Sequence, residues 1–213
     1  MNIETFIQRM NTYDTECDHN KIIEDLKSLA THRTLLSEYL YQGIQQNGFS
    51  VKHMLYNAYA FVLHSNEKYT VRLGFWSPVN SKEEGETFIY GLNHTHDFEM
   101  YCVGYAGDGY TTIKREILDH TPISCGVRPQ LGEEHELKLA PGEVLHMKPL
   151  YEIHRQLPPQ QMSASLSLLI HAPRAEESEE AWCFDENYVP IYPGIAMQEI
   201  AFYEKTMSLF NHG

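Results

Sequence analysis

From residue 51 onward the hydrophobic pattern of this chain repeats every two residues, and Gly or Pro interrupts it at short intervals. Strict alternation describes a strand with one buried face, and many short strands between such turns describe a β-barrel or jelly roll. Tyr69 to Trp76 shows the pattern best. Tyr69, Val71, Leu73 and Phe75 share one face, while Thr70, Arg72, Gly74 and Trp76 share the other. The first set reads as a core face and the second suits a partly polar pocket. The preceding His64 to Lys68 reads as a hairpin turn after strand residues in 51–63. Further strands are expected near 87–93, 98–105, 109–118, 136–140, 143–148 and 163–171, with a short segment around Trp182 to Phe184 and an irregular stretch over 119–135.

The ends of the chain read differently. Within residues 3–47, Ile22, Ile23, Leu26 and Leu29, then Leu35, Leu36, Tyr39, Leu40 and Ile44, recur at helical spacing. Thr31 or Thr34 caps the second run, and Gly48 follows its end. After Pro193 or Gly194, Ile200, Tyr203, Met207 and Phe210 form a second helical stripe. A chain of 213 residues suits one domain with a sizeable core. The expected organisation is a single unit over 1–213, with a helical cover over 1–48, a β-barrel over 49–192 and a C-terminal helix over 193–213.

Charge narrows the partners. Sixteen basic against 29 acidic residues give a formal net charge of −13, which opposes attraction to nucleic acid or anionic membrane. No apolar run approaches a membrane span, and no signal peptide opens the chain. Cys17, Cys102, Cys125 and Cys183 are widely spaced without a Cys-x-x-Cys pair, which argues against a zinc knuckle and a disulfide framework. Reduced cysteines and a cytoplasmic location are expected.

Chemistry concentrates in residues 91–109. His94 and His96 lie two apart, so on a strand they project from one face and can grip one metal ion together. Downstream, Pro141-Gly142 turns into a strand, Pro149 follows, and the run ends in His154. Two strand segments bearing His-x-His and a lone His can close three ligands around a metal inside a small barrel. Glu99 joins them only if Asp97-Phe98 bulges, because on an unbroken strand it points away from His96. His146 reads as structural. His19, His32, His53, His120 and His212 sit in polar or terminal settings.

These two stretches resemble the paired motifs of the cupin superfamily, in which the first supplies His-x-His and a Glu and the second a His after a Pro-Gly turn. The resemblance implies a cupin-type double-stranded β-helix (jelly-roll) barrel with His94, His96 and His154 as metal ligands. Glu99 stands closer to His96 than the family Glu does. The order of features is also similar, loosely over residues 56–185, to the cysteine dioxygenase branch, non-haem iron enzymes that oxidise small thiols with O2. Matching stretches are Lys68-Tyr69 to Trp76, His94-Thr95-His96, His154, and Ser165 to Pro173. Departures are clear: Tyr56-Asn57-Ala58 lacks that branch's Arg, Ser167 to His171 lacks its middle His and final Tyr, and Cys102 is offset from its cysteine.

The resemblance implies Fe(II), with Zn, Mn and Ni as alternatives, and an oxygenase acting on a small polar metabolite and O2. Its rivals are a Zn or Mn isomerase or lyase, a cupin that binds a small ligand without turnover, and a barrel with no metal. It also implies pairing of copies through sheet edges as a homodimer. Arg72 is expected to replace the missing Arg, holding a substrate carboxylate or phosphate; the other reading is an internal ion pair. Tyr56, Tyr101 and Tyr105 are candidate hydroxyl donors beside the metal or strand-packing residues. Arg155 and Gln156 are expected at the pocket rim or on the surface.

Overall fold

In the computed structural model the described residues are 1–47, 56–57, 60–81, 90–171 and 180–193. The expected C-terminal helix beyond Pro193, and the strand segments expected over 51–55 and 87–89, lie outside them. Three helices open the chain: α1 (Ile3–Met10), α2 (His19–Ala30) and α3 (Leu35–Asn47). Asn2 caps α1 by accepting a hydrogen bond from the Thr5 N–H at 2.9 Å. Helical spacing places Ile22, Leu26 and Leu29 on one buried face of α2, as the sequence predicts. The Asp25 carboxylate ties α1 to α2, accepting from Arg9 at 2.5 Å and from the Tyr13 hydroxyl at 2.6 Å.

Among the described residues the remainder is mainly β, in twelve strands: β1 (Tyr56–Asn57), β2 (Ala60–Ser65), β3 (Tyr69–Trp76), β4 (Asn93–His94), β5 (Phe98–Ala106), β6 (Thr111–Glu116), β7 (His135–Lys138), β8 (Val144–Met147), β9 (Glu152–Leu157), β10 (Ser163–His171), β11 (Trp182–Phe184) and β12 (Pro190–Pro193). They form two antiparallel six-stranded sheets, ordered β1-β2-β3-β10-β5-β8 and β12-β11-β4-β9-β6-β7. Strands β3 to β10 thus alternate between sheets as 3-10-5-8 and 4-9-6-7, the ordering of a jelly roll. Among the described residues the expected barrel is hydrogen-bonded as two separate sheets.

Between β2 and β3, the Asn66 side-chain oxygen accepts from the backbone of Lys68 at 2.8 Å and Tyr69 at 2.9 Å. This local loop is why Asn suits the turn. β9 is a strand of its own that the sequence pattern does not reveal. The turn before it contains Leu150 at φ 64°, and Tyr151 donates its N–H to the Pro149 carbonyl at 2.7 Å.

The first sheet is covered on both faces. Tyr69, Val71 and Leu73 of β3, Tyr101, Val103 and Tyr105 of β5, and Leu166, Leu168 and Ile170 of β10 pack under the helices with Phe6, Ile22, Leu26 and Leu29. Each such apolar side chain contributes about 1.5–3 kcal/mol by leaving water. On the opposite face Met100, Cys102, Leu145 and Met147 meet Tyr110 and Leu139. Arg72 pairs in register with Ser167, which pairs with Cys102. Next to them Gly74 pairs with Ser165, and Ser165 with Gly104. These small side chains leave room around Arg72. Gly104 is required by close packing, because a Cβ there would overlap the Ala140 carbonyl.

Candidate metal centre

The second sheet sets the histidines opposite each other. β4 pairs with β9 at a single register position, His94 against His154. Thr95 fixes the chain just beyond β4: its N–H donates to the Trp182 carbonyl at 2.9 Å, and its hydroxyl accepts from the Trp182 N–H at 2.9 Å. His96 is held by its carbonyl, which accepts from the Leu150 N–H at 2.6 Å, and its ring stacks on Phe98.

Three imidazoles therefore converge. The Nε2 of His154 lies 2.9 Å from that of His96 and 3.1 Å from that of His94. His154 is fully buried, and His94 and His96 are buried as well. The His94 Nδ1 faces the Leu92 carbonyl at 3.0 Å. A carbonyl can only accept, so that nitrogen carries the proton and the Nε2 lone pair points at the other rings. The His154 Nδ1 lies 3.2 Å from the Thr112 hydroxyl, while the His96 Nδ1 is buried without a partner.

Burial pushes the His94 pKa down to about 4, against a smaller raising effect of the Leu92 carbonyl. It holds His96 and His154 well below the usual imidazole range, helped by the neighbouring imidazoles and by Arg72 and Lys114 respectively. All three rings are neutral at physiological pH, the state a metal requires. The donor set fits a cation: metal–nitrogen bonds of ~2.0–2.1 Å at right angles separate the nitrogens by ~3 Å. The group could hold a metal ion.

The same shifts set an acid limit on the metal-free protein. Their folded pKa values lie below the ordinary 6.5, so the unfolded chain binds more protons as pH falls below 6.5. Stability is complete above that value and is lost progressively toward pH 4, with His94 alone contributing about 3 kcal/mol. Urea midpoints of chelator-treated protein should fall between pH 7 and 5, and less steeply in His94→Gln. Equal slopes for the two proteins would contradict this account.

Beside the triad, Arg72 lies on the face of β3 that also carries Trp76, the face turned to Cys102 and Tyr110. Burial lowers its pKa, Cys102 and Tyr110 oppose that shift electrostatically, and its charge reaches His96. Among the described residues its guanidinium makes no hydrogen bond or ion pair, so the internal ion pair does not form there. Around it, the Trp76 indole donates to Ser165 at 2.9 Å, Trp76 packs on Tyr110 at 4.0 Å, and Cys102 Sγ lies 3.2 Å from the Ser167 hydroxyl.

The other expected site residues fall elsewhere. Glu99 is not with the triad. It stays on the regular pleat of β5, and its Oε1 accepts from His146 at 2.7 Å and Tyr101 at 2.7 Å on the helix-covered side. Burial alone would raise the Glu99 pKa, but these bonds hold it below the usual carboxylate value. Tyr105 shares that side and donates its hydroxyl to the His32 carbonyl at 2.8 Å. The backbone of Tyr56 lies in β1, and its side chain is outside the described residues. Gln156 is buried inside, its amide 3.3 Å from His154 Nε2, whereas Arg155 bonds Tyr188 and Asn93. Tyr110 and Thr112 are site residues that the sequence reading missed; the alternation of β6, with Thr112 two before Lys114, was the available signal.

No family model matches this chain, and no curated protein matches it. Among solved structures it is similar to the DMSP lyase DddQ from Ruegeria pomeroyi, at 12% identity over 60% of this chain and 56% of the lyase, with a TM-score of 0.34. It is similar to hydroquinone 1,2-dioxygenase PnpCD, solved with Cd2+ and 4-hydroxybenzonitrile, at 17% identity over 53% of this chain and 63% of that one, with a TM-score of 0.32. A cupin superfamily protein from Desulfitobacterium hafniense matches at 10% identity over 53% of this chain and 76% of its own, with a TM-score of 0.31. The chain spans less than two thirds of the lyase and of the dioxygenase.

Proposed function

We propose that this protein is a metal-dependent enzyme of the cupin superfamily, an Fe(II) oxygenase acting on a small carboxylate-bearing metabolite. The observation that carries the reading is the meeting of the His94 and His96 nitrogens at the His154 Nε2, 3.1 and 2.9 Å away, beside a guanidinium that no described side chain pairs. The His-x-His and Pro-Gly motifs and the jelly-roll strand order support the same family.

Iron held by the three imidazoles would supply redox chemistry and O2 activation, with coordination positions left for substrate. The chain's own part is placement. Arg72 binds the substrate carboxylate through its planar fork. Neutral His94, with its proton fixed on Nδ1 by the Leu92 carbonyl, keeps its other lone pair available. Thr112 orients His154 through its Nδ1, while the Gln156 amide lies beside the Nε2 that faces the other rings. Trp76, Met100 and Met147 exclude water from the same interior. A Zn or Mn lyase or isomerase is the second reading, favoured by an all-nitrogen donor set that also suits a Lewis-acid metal.

The test is the metal content of protein purified from iron-, zinc- and manganese-supplemented cultures, followed by O2 uptake with pools of amino acids, thiols and small acids. Iron retention with O2 uptake is expected. Zinc in place of iron, lost in His94→Ala, with no uptake would overturn the oxygenase reading in favour of the second, and retention of no metal would overturn both.

A further inference from the structure

We infer that His19, Glu99 and His146 form a second divalent-metal site, a zinc clamp between α2 and the outer face of the first sheet. The three come from different elements: His19 opens α2, Glu99 lies on β5 and His146 on β8. One donor atom of each lies within 4.8 Å of the others. The His146 Nε2 is 2.7 Å and the His19 Nδ1 3.8 Å from Glu99 Oε1. A tetrahedral zinc ion with bonds of ~2.0–2.2 Å needs donors ~3.3–3.6 Å apart, so adjustments of about 1 Å suffice. Two imidazoles and a carboxylate are a recognised donor set for such an ion.

The surroundings favour an ion over a closed hydrogen-bond cluster. Both hydrogen bonds to Glu99 land on Oε1, and Oε2 has no partner among the described residues. Among the described residues no Lys or Arg pairs with this carboxylate, which faces two imidazoles and the Tyr101 hydroxyl. Tyr101 orients both rings: its ring stacks on His146 at 4.4 Å, and its hydroxyl hydrogen-bonds His19. The side chains of His19, His146 and Glu99 are 44%, 33% and 20% exposed, which lets an ion enter from solvent. A net charge of −13 raises the local cation concentration.

The probe is ZnCl2 alone. Full-length protein is stripped with chelator, equilibrated with zinc and desalted, and its zinc is counted. The wild type should hold about two ions, His19→Ala and Glu99→Gln about one each, and His94→Ala about one. Zinc should raise the melting temperature of His94→Ala but not of His19→Ala/His94→Ala. His19 is partly buried and lies outside the hydrophobic clusters, and a melting curve of His19→Ala separates loss of zinc from loss of folding. A single ion in the wild type that survives in His94→Ala would sink the interior site instead and leave this one standing. A single ion lost in His94→Ala, or two ions kept by both His19→Ala and Glu99→Gln, would overturn the clamp.

Discussion

Replacing His154 with alanine should remove interior metal binding and with it all turnover. His154 is the shared neighbour of the group: its Nε2 lies within 3.1 Å of both other imidazoles, whereas His94 and His96 meet through it. Loss of an orienting partner of a ligand costs ~10–100-fold in metal affinity, and loss of the ligand itself should exceed that, giving at least a ~100-fold decrease. The contrast is His146→Ala. That residue stands on β8 and turns its ring to Glu99, so iron retention inside should be unchanged. Iron titrations of the two variants decide the matter, with melting curves to show that each is folded. Equal iron affinity in His154→Ala and the wild type would remove the metal centre.

The second large effect carries opposite signs for binding and stability. Arg72→Met should raise the KM for a carboxylate substrate while raising the melting temperature. A charge-assisted hydrogen bond contributes ~1.5–3 kcal/mol, which corresponds to a ~10–150-fold weaker interaction. In the free protein the same guanidinium is desolvated without an ion pair. Its removal should therefore stabilise by ~1 kcal/mol, a rise of ~2–4 °C for a chain of this size. A merely structural arginine would lower the melting temperature and leave KM alone, and that pattern would refute the anchor.

Period and spacing carried much of this. Alternation in β3 put Arg72 and Trp76 on the inner face, and Asn66 marked the hairpin before it. The spacing of His94 and His96, with the distant His154, pointed to the three rings that meet. Alternation says which residues share a face but not what lies across from that face. Glu99 illustrates the limit: its pleat position was readable, but its partner His19 comes from a helix 80 residues earlier. Tyr105 was ambiguous for a related reason. The first sheet is buried on both faces, so Met100 and Cys102 on one side look as apolar as Tyr101 and Tyr105 on the other. Gln156 and β9 were hidden by the turn at Pro149 and Leu150, whose positive φ no β-sequence pattern encodes.

The pairing of β4 with β9 through one register position has a kinetic consequence. His94 and His154 meet only after a 60-residue loop has closed, an event that belongs late in folding because distant contacts cost chain entropy before they repay it. An ion bound there would strengthen contacts absent from the rate-limiting step. It would prolong the lifetime of the native molecule against spontaneous opening and leave the speed of its assembly almost untouched.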